Sequence, residues 1–386
     1  MAALFFLCFI DNIFIYGRIF PYYAFEVIME IFTYCMIAVA AIACIDRIIG
    51  NKIGLGEEFE KAISMLAPLT LSMAGILILA PSISHLLEGI SGYFPEFLDF
   101  SIIPSLILAN DMGGAHLAHD LAENEAMGYF NGLVTASMMG ATVSFTIPFS
   151  IQVTKKENHS DIFFGILCGM ITIPVGLVIS GLIAGIGIVP LLLNIVPLLV
   201  LVIVIGVGII RFEKITIKLF SVLAVIIKAV VTLGLIAGIV EFLTGKAIIP
   251  YMDNLGSAMD IIINIVCIMA GALPLFFFLK KLLSPVLKKL GAKLGVNETA
   301  AFGFLTTIGT SVPTYEMMDK MDKKGIVLNS AFSVSASFAF VDHLAFSASF
   351  KEEYILPMII AKLISGVFAI LLANVLYNRK NKKNEM

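Results

Sequence analysis

Two short apolar segments of this chain each end in a small polar motif before they are long enough to cross a membrane. The first segment, 101–110, runs into the residues Asn110-Asp111-Met112-Gly113-Gly114. The second segment, 299–308, runs into the residues Gly309-Thr310-Ser311-Val312-Pro313. A spanning helix needs about 20 apolar residues, so neither segment can cross alone. Paired interrupted segments in matching places of two halves indicate the binding site of a transporter.

The first motif places a carboxylate at a turn. An ionised Asp111 is costly in an apolar region, so it predicts binding of an ion or of a cationic substrate. The alternative is that Asp111 caps the free N–H groups of the helix that follows, and the two roles are compatible. Gly113 and Gly114 permit a tight turn and a close approach of the backbone, and Asn110 adds an amide.

The second motif is rich in hydroxyl groups. Thr310 and Ser311 could contact a polar substrate, or they could satisfy backbone groups where the helix is broken. A second candidate carboxylate, Glu316, follows a few residues later. Tyr315 precedes it and offers an aromatic ring to a cation.

A third group of polar residues lies in and after the apolar run 326–349. Asn329 adds an amide near the start of this run. The adjacent pair Asp342 and His343 is expected to face a cavity or the other hairpin, because a carboxylate facing lipid is costly. Lys362 lies in the next apolar run, and we expect it to neutralise a carboxylate.

The composition is that of a polytopic membrane protein. Of the 386 residues, 59% are hydrophobic and 14% are charged, against about 25% charged in soluble proteins. A net charge of −3 gives no sign of a nucleic-acid partner. The pair His116 and His119 lacks the further ligand of a metal site, and the H-E-x-x-H pattern of zinc enzymes is absent. No cofactor and no metal are therefore expected.

The apolar runs follow the same order in the two halves of the chain. Each half, 27–184 and 219–377, has two long runs, one short segment and two more long runs, and the run 190–210 remains as a linker. The predicted full spans are 27–45, 62–82, 126–151, 162–184, 190–210, 219–243, 258–279, 326–349 and 355–377. Residues 1–26 form a candidate extra N-terminal span, and residues 378–386 form a polar tail.

The positive charges favour re-entrant hairpins over full crossings by the two short segments. Lys and Arg in short loops mark the cytoplasmic side. Of the 25 basic residues, 22 lie in loops or the tail, the exceptions being Arg18, Lys228 and Lys362. If both short segments return to the side they entered from, 20 of the 22 are cytoplasmic and only Lys246 and Lys351 are not. If both segments cross, the division is 11 and 11.

Re-entrant hairpins fix the relation between the halves. Each half then crosses the membrane four times, and one linker span separates them, so the second half runs with the opposite orientation. The predicted fold is an all-α inverted repeat with one re-entrant helical hairpin in each half. The two hairpin tips are expected to meet near the membrane midplane, and the C-terminus is expected in the cytoplasm.

Four separated groups of residues resemble the ethanolamine permease family of the bacterial ethanolamine-utilisation system. They are Asn110-Asp111-Met112-Gly113-Gly114, the run 138–148, Asp342-His343-Leu344 with Phe346, and Pro357-Met358-Ile359 with Lys362-Leu363-Ile364. The resemblance extends from Ile28 to the C-terminal span, and its departures are Ala345, where glycine is expected, and the N-terminal extension. It implies import of ethanolamine across the bacterial inner membrane, and it assigns no role to single residues.

The candidate residues suit ethanolamine, a small amine that is mostly protonated at neutral pH. Its ammonium group could bind the carboxylates Asp111, Asp342 and Glu316. Its hydroxyl could bind Asn110, Asn329, Thr310 and Ser311, and Tyr315 could supply an aromatic face. Gly113, Gly114 and His343 complete the candidate site.

Three other functions are weighed against this one. A narrow facilitator channel for small polar amines would use the same hairpins. A carrier for another small cationic metabolite would use the same carboxylates. An intramembrane enzyme is disfavoured, because no nucleophile and base stand in a recognisable motif. The sequence leaves open whether H⁺ or Na⁺ is a coupling ion, and it leaves open whether the protein is an oligomer.

Overall fold

The computed structural model describes residues 20–91, 94–95 and 97–384, and every regular element in these ranges is helical. Among these residues, six helices are long and apolar enough to cross a membrane: Leu55–Gly89, Glu125–Val153, Lys156–Ile183, Ile188–Thr244, Leu255–Leu282 and Glu352–Lys380. A further long helix covers Phe20–Ile48. These helices confirm the predicted all-α polytopic class. Helices suit a membrane because they satisfy their own backbone hydrogen-bonding groups. Most of the candidate extra span, 1–26, lies outside the described residues.

Both short segments form helical hairpins. The first hairpin comprises the helix Ile102–Ile107, the 3₁₀ turn Asn110–Met112 and the helix Gly114–Asp120. The second hairpin comprises the helix Glu298–Gly309 and the shorter helix Val312–Glu316. In the second hairpin, the Oγ1 of Thr314 donates to the carbonyl of Gly303 at 3.1 Å. The shorter helix therefore lies back alongside the longer one.

Two predicted spans are arms of one long helix. The predicted spans 190–210 and 219–243 both lie within the helix Ile188–Thr244. This helix bends at Phe212, whose φ of −134° and ψ of 42° are not helical. This kink falls in the polar stretch 211–218, between the two predicted spans, so the boundary between the two arms agrees with the sequence.

The predicted span 326–349 is broken into two helices, Lys323–Ala336 and Asp342–Phe350. We call these two helices and the unwound residues 337–341 between them the interrupted helix. Within the unwound residues, Phe338 has a φ of +62°, which is uncommon for a residue with a side chain. The interruption places Asp342 and His343 at the start of a helix instead of in the middle of one.

The interruption is stabilised by the second hairpin. The backbone N–H of Phe338 donates to the carbonyl of Thr307 at 3.2 Å, and that of Phe340 donates to the carbonyl of Ile308 at 3.2 Å. The last carbonyls of a helix have no partner within it, and unwound backbone has free N–H groups. The free carbonyls at the end of the helix Glu298–Gly309 thus accept hydrogen bonds from the unwound residues. These bonds permit irregular backbone inside an apolar protein.

The core joins helices from both predicted halves. The helix His159–Ile183 packs against Lys323–Ala336 and against Ile355–Asn384. Glycines make this approach close, since a Cβ on Gly169 would lie 2.5 Å from the carbonyl oxygen of Ala331. The two halves thus form one packed unit, and the interrupted helix lies inside it.

Candidate functional site

The turn of the first hairpin presents Asp111. The backbone leaves the helix at Leu108, with a φ of −109° and a ψ of 138°. The N–H groups of Met112 and Gly114 then donate to the carbonyl of Ala109 at 3.0 and 2.9 Å. Gly113 closes the turn with a φ of +89°, where a Cβ would also meet the side chain of Ile76.

Gly114 is required for the same turn. A Cβ on this residue would lie 2.5 Å from the carbonyl oxygen of Leu108 and 2.6 Å from that of Ala109. Both contacts are with backbone atoms, which cannot move aside as a flexible side chain can. The predicted role of the two glycines, a tight turn with close backbone approach, thus matches the geometry at both positions.

Asp111 faces His343 of the interrupted helix. The Nε2 of His343 lies 3.8 Å from the Oδ1 of Asp111. The Asp111 side chain is 21% exposed, whereas the His343 side chain is 2% exposed, so Asp111 marks the open side of the pair. Asp342, the neighbour of His343 in the sequence, is half-buried.

Lys362 lies behind His343 and is fully buried. Its Nζ donates to the carbonyl of Ser137 at 2.6 Å and lies 3.0 Å from the Nδ1 of His343. Asp111, His343 and Lys362 thus form one line of polar groups.

The carbonyl that holds Lys362 belongs to a distorted helix. Ser137 lies in the π-helical stretch Asn131–Gly140, within the helix Glu125–Val153. In a π-helical stretch the backbone hydrogen bonds are shifted, and such stretches occur frequently at functional sites. The same helix carries Gly140, where a Cβ would collide with the carbonyl oxygen of Leu108, so it packs directly on the turn of the first hairpin.

Two buried side chains lack partners beside the breaks. Both polar atoms of the Asn110 side chain are buried and have no hydrogen-bond partner among the described residues. The buried Ser311 hydroxyl is also unpaired within the described part of the chain. Buried polar groups are nearly always paired, so unpaired ones next to interrupted helices are candidate contacts for a ligand.

The other candidates in the second hairpin have different surroundings. Thr310 is half-buried in extended backbone, and its Oγ1 accepts from the N–H of Val312 at 3.4 Å. Tyr315 is fully buried, and its hydroxyl lies 2.7 Å from the Oγ of Ser333. Glu316 is exposed at the end of its short helix. Neither Thr310 nor Ser311 hydrogen-bonds Asp111 within the described residues.

Asn329 fastens the second hairpin to the interrupted helix. Its Nδ2 donates to the carbonyl of Ala300 at 2.9 Å and to that of Gly325 at 3.0 Å. In the first half, the Nδ2 of Asn131 donates to the Oγ of Ser101 at 2.8 Å. Each asparagine thus ties the long helix after a hairpin to the first residues of that hairpin.

The structure brings together three of the predicted site residues: Asp111, Asp342 and His343. It adds Lys362, which the sequence indicated only as a counter-ion for some carboxylate. Sequence reasoning missed the unwound residues 337–341. The available signal was Asp342 itself, because an acidic side chain in an apolar run is favoured at the first turn of a new helix.

These features define a multi-pass membrane protein with interrupted helices around a buried polar site. The family model described as "Ethanolamine utilisation protein, EutH" matches residues 28–376, and the chain belongs to this family. The resemblance seen in the four groups of motifs is thereby confirmed.

Three curated relatives share the name "Probable ethanolamine permease EutH". The one from Listeria monocytogenes is 40% identical over 93% of this chain and 96% of its own length. Those from Salmonella typhimurium and Escherichia coli are 34% and 33% identical over 89% and 92% of this chain and 94% and 97% of their own lengths. No solved structure matches the chain. Because these relatives are named as permeases, the family is one of transport proteins and not of enzymes.

Proposed function

We propose that this protein imports ethanolamine, as its protonated ammonium ion, across the bacterial inner membrane. The names of three relatives that align over nearly their whole length support the substrate. The observation that carries the proposal is a carboxylate, Asp111, at the turn of an interrupted segment inside an apolar protein. An ionised carboxylate inside a membrane costs free energy, and binding of a cationic substrate offsets that cost.

In this proposal the ammonium group binds between Asp111 and Asp342. A cation placed between two carboxylates is stabilised by both of them. The unpaired amide of Asn110 and the unpaired hydroxyl of Ser311 then become partners for the alcohol group. Glu316 is left out of the site, because it is exposed at the end of its helix.

We further propose that the two hairpins are re-entrant elements of an inverted repeat, with the C-terminus in the cytoplasm. Two observations support this arrangement. The 20-to-2 division of basic residues favours re-entry over crossing. Asn131 and Asn329 each hydrogen-bond a residue near the start of the hairpin that precedes their own helix, Asn131 through the Ser101 hydroxyl and Asn329 through the Ala300 carbonyl. The interrupted helix contacts Asp111 of the first hairpin and the end of the longer helix of the second, so it suits a central site between them.

Uptake of radiolabelled ethanolamine by proteoliposomes tests the function. A carrier is expected to show saturable uptake and counter-transport by unlabelled ethanolamine, whereas a narrow channel gives flux that does not saturate. Protein-free liposomes report passive entry of the neutral amine. Uptake no faster than in these liposomes would reject the proposal, and preferred uptake of a different amine would assign the site to another small cation.

A further inference from the structure

Lys351 holds its ammonium group against an aromatic ring at the proposed outer face of the protein. Its Nζ lies 5.1 Å from the centre of the Tyr129 ring and 3.3 Å from the Oε2 of Glu353. The Lys351 side chain is 35% exposed, so this contact is partly shielded from water. An aromatic face and a carboxylate both attract an ammonium ion. This place therefore already holds a primary ammonium group on an alkyl chain.

Two short helices lead from the candidate site toward Tyr129. The helix Gly114–Asp120 begins three residues after Asp111, and the helix Asp342–Phe350 begins at one of the candidate carboxylates. Lys351 follows the second helix directly. The two helices contact each other through aromatic rings, so their side chains connect the buried carboxylates with the ammonium group of Lys351.

These aromatic rings form a continuous row. The ring centroid of His116 lies 6.0 Å from that of Phe346 and 4.6 Å from that of Phe350. Further along, the ring centroid of Tyr129 lies 5.9 Å from that of Phe350 and 4.6 Å from that of His119. We call these five residues the aromatic row. It begins one helical turn after the candidate carboxylate of the interrupted helix, and it ends at Tyr129.

One polar atom of the aromatic row has no partner. The Nδ1 of His116 is buried and makes no hydrogen bond within the described part of the chain. Buried polar atoms are nearly always paired, so an unpaired one along this row is a candidate contact for a polar ligand that passes it. A small amino alcohol offers such a contact through its hydroxyl.

We infer that Tyr129 and Glu353 form an outer binding site for the primary ammonium group of the substrate, and that Lys351 occupies this site until the substrate displaces it. The substrate then moves along the aromatic row to Asp111. The inference rests on the proposed function and topology and deepens them, because it adds a second site for the same cation. The chemistry matches, since lysine and ethanolamine both carry a primary ammonium group on an alkyl chain.

Lys351 acts in this arrangement as a competitor that is tethered to the site. A tethered group has an effective concentration of about millimolar, so dilute substrate must displace it. Removing the ammonium group at residue 351 should therefore strengthen the capture of dilute substrate, whereas removing the ring at residue 129 should weaken it. The two changes act in opposite directions. In a purely structural contact they would act in the same direction, because each removes the same interaction.

Uptake kinetics in intact cells test the competition, because the substrate then meets only the outer face. We expect Lys351→Gln to lower the KM about 2- to 5-fold and Tyr129→Leu to raise it about 2- to 5-fold, which is the range of a cation–π contact at an exposed site. The maximal rate should stay the same, since the residues around Asp111 are unchanged. A KM of Lys351→Gln at or above that of the wild type would overturn the inference.

Two control variants accompany these measurements. Lys246→Gln removes the other lysine of the proposed outer face, which is exposed, and it is expected to keep the wild-type KM. A KM lowered equally by Lys246→Gln would assign the effect to surface charge and overturn the inference. Tyr129→Phe keeps the aromatic ring and is expected to keep the wild-type KM.

Fluorescence measures binding at the outer site directly, because the chain contains no tryptophan. Tyr129→Trp places a single indole there, and an indole binds cations better than the other aromatic rings do. In the purified double variant of Tyr129→Trp and Lys351→Gln, ethanolamine is expected to change the emission saturably. The change should persist when Asp111→Asn is added, since the outer site does not include Asp111. Emission that does not respond to ethanolamine would overturn the inference.

The outer site and the proposed function fail in different ways. Wild-type uptake of ethanolamine with no response of the emission overturns the outer site and leaves transport intact. Absence of wild-type uptake rejects the proposed function, and the titration then still decides whether residue 129 binds a primary ammonium ion. If Tyr129→Leu does not reach the membrane, Lys351→Gln and the titration decide the inference without it.

Discussion

The Nε2 of His343 lies 3.8 Å from the Oδ1 of Asp111, across the gap between the interrupted helix and the first hairpin. These residues belong to different halves of the chain. Their meeting requires two breaks in regular structure, one that turns the first hairpin at Asp111 and one that starts a new helix at Asp342. The site therefore depends on backbone that is irregular in both places.

Removing either carboxylate should impair transport. We expect Asp111→Asn to reduce uptake about 10- to 100-fold, because a hydrogen bond from a charged group contributes about 1.5–3 kcal/mol. Asp342→Asn should also reduce uptake, because the proposed site holds the ammonium group between Asp111 and Asp342. Initial rates of radiolabelled uptake, normalised to the protein in the membrane, provide the measurement. Asp260→Asn changes an exposed carboxylate within a span and is the matched control. Equal uptake by all three variants would limit Asp111 to a structural role.

The turn of the first hairpin should not tolerate a side chain at Gly113. Gly113→Ala forces a residue with a Cβ into a φ of +89° and makes that Cβ collide with the side chain of Ile76. A residue held in this region costs about 1–3 kcal/mol, so the midpoint of thermal unfolding should fall and uptake should be lost. Gly89→Ala is the control, because its Cβ would meet no described atom within 4 Å. A Gly113 variant as stable as the Gly89 variant would contradict the strained turn.

The substitution Ser311→Ala should impair transport without lowering the thermal stability of the protein. Its buried hydroxyl is unpaired in the described structure, so Ser311→Ala should leave the thermal midpoint unchanged or raise it. If the hydroxyl binds substrate, the KM should rise roughly 2- to 10-fold. Ser333→Ala should behave in the opposite way, since it leaves the buried Tyr315 hydroxyl without that partner and costs about 1–3 kcal/mol. A lower midpoint with an unchanged KM in Ser311→Ala would assign Ser311 to packing.

Labelling of single cysteines should report the topology. Cysteines replacing Lys156 and Lys289 should react with a membrane-impermeant maleimide only from the cytoplasmic side, and one replacing Glu88 only from outside. The division of basic residues supplies the reason. Intact cells and inverted vesicles give the two directions of access. Reaction of the cysteine at 289 in intact cells would mean that a short segment crosses the membrane.

Much of the fold could be predicted because lipid imposes strict rules on sequence. Length and apolarity identify spanning helices, and glycines beside Asp111 identify a turn. Both signals are local, and the structure agrees with them at Leu55–Gly89 and at Gly113. The kink at Phe212 also lies in the polar stretch between two predicted spans.

The length, apolarity and glycine content of the run 326–349 do not reveal the interruption at 337–341, and only Asp342 hints at it. A run rich in alanine, serine and phenylalanine is compatible with an unbroken helix. The run unwinds because the backbone N–H groups of Phe338 and Phe340 donate hydrogen bonds to the free carbonyls of Thr307 and Ile308. Those carbonyls belong to a hairpin that comes earlier in the chain, and no local pattern records their position.

The sequence by itself determined that Asp111, Asp342, His343 and Lys362 lie in apolar surroundings, where ionisable groups are costly and need partners. The tertiary structure alone decided which partner each one has. It placed His343 between Asp111 and Lys362, and it assigned Asn329 to fastening a hairpin. The physical reason is that a buried charge fixes the need for a partner but not its identity, which depends on how distant helices pack.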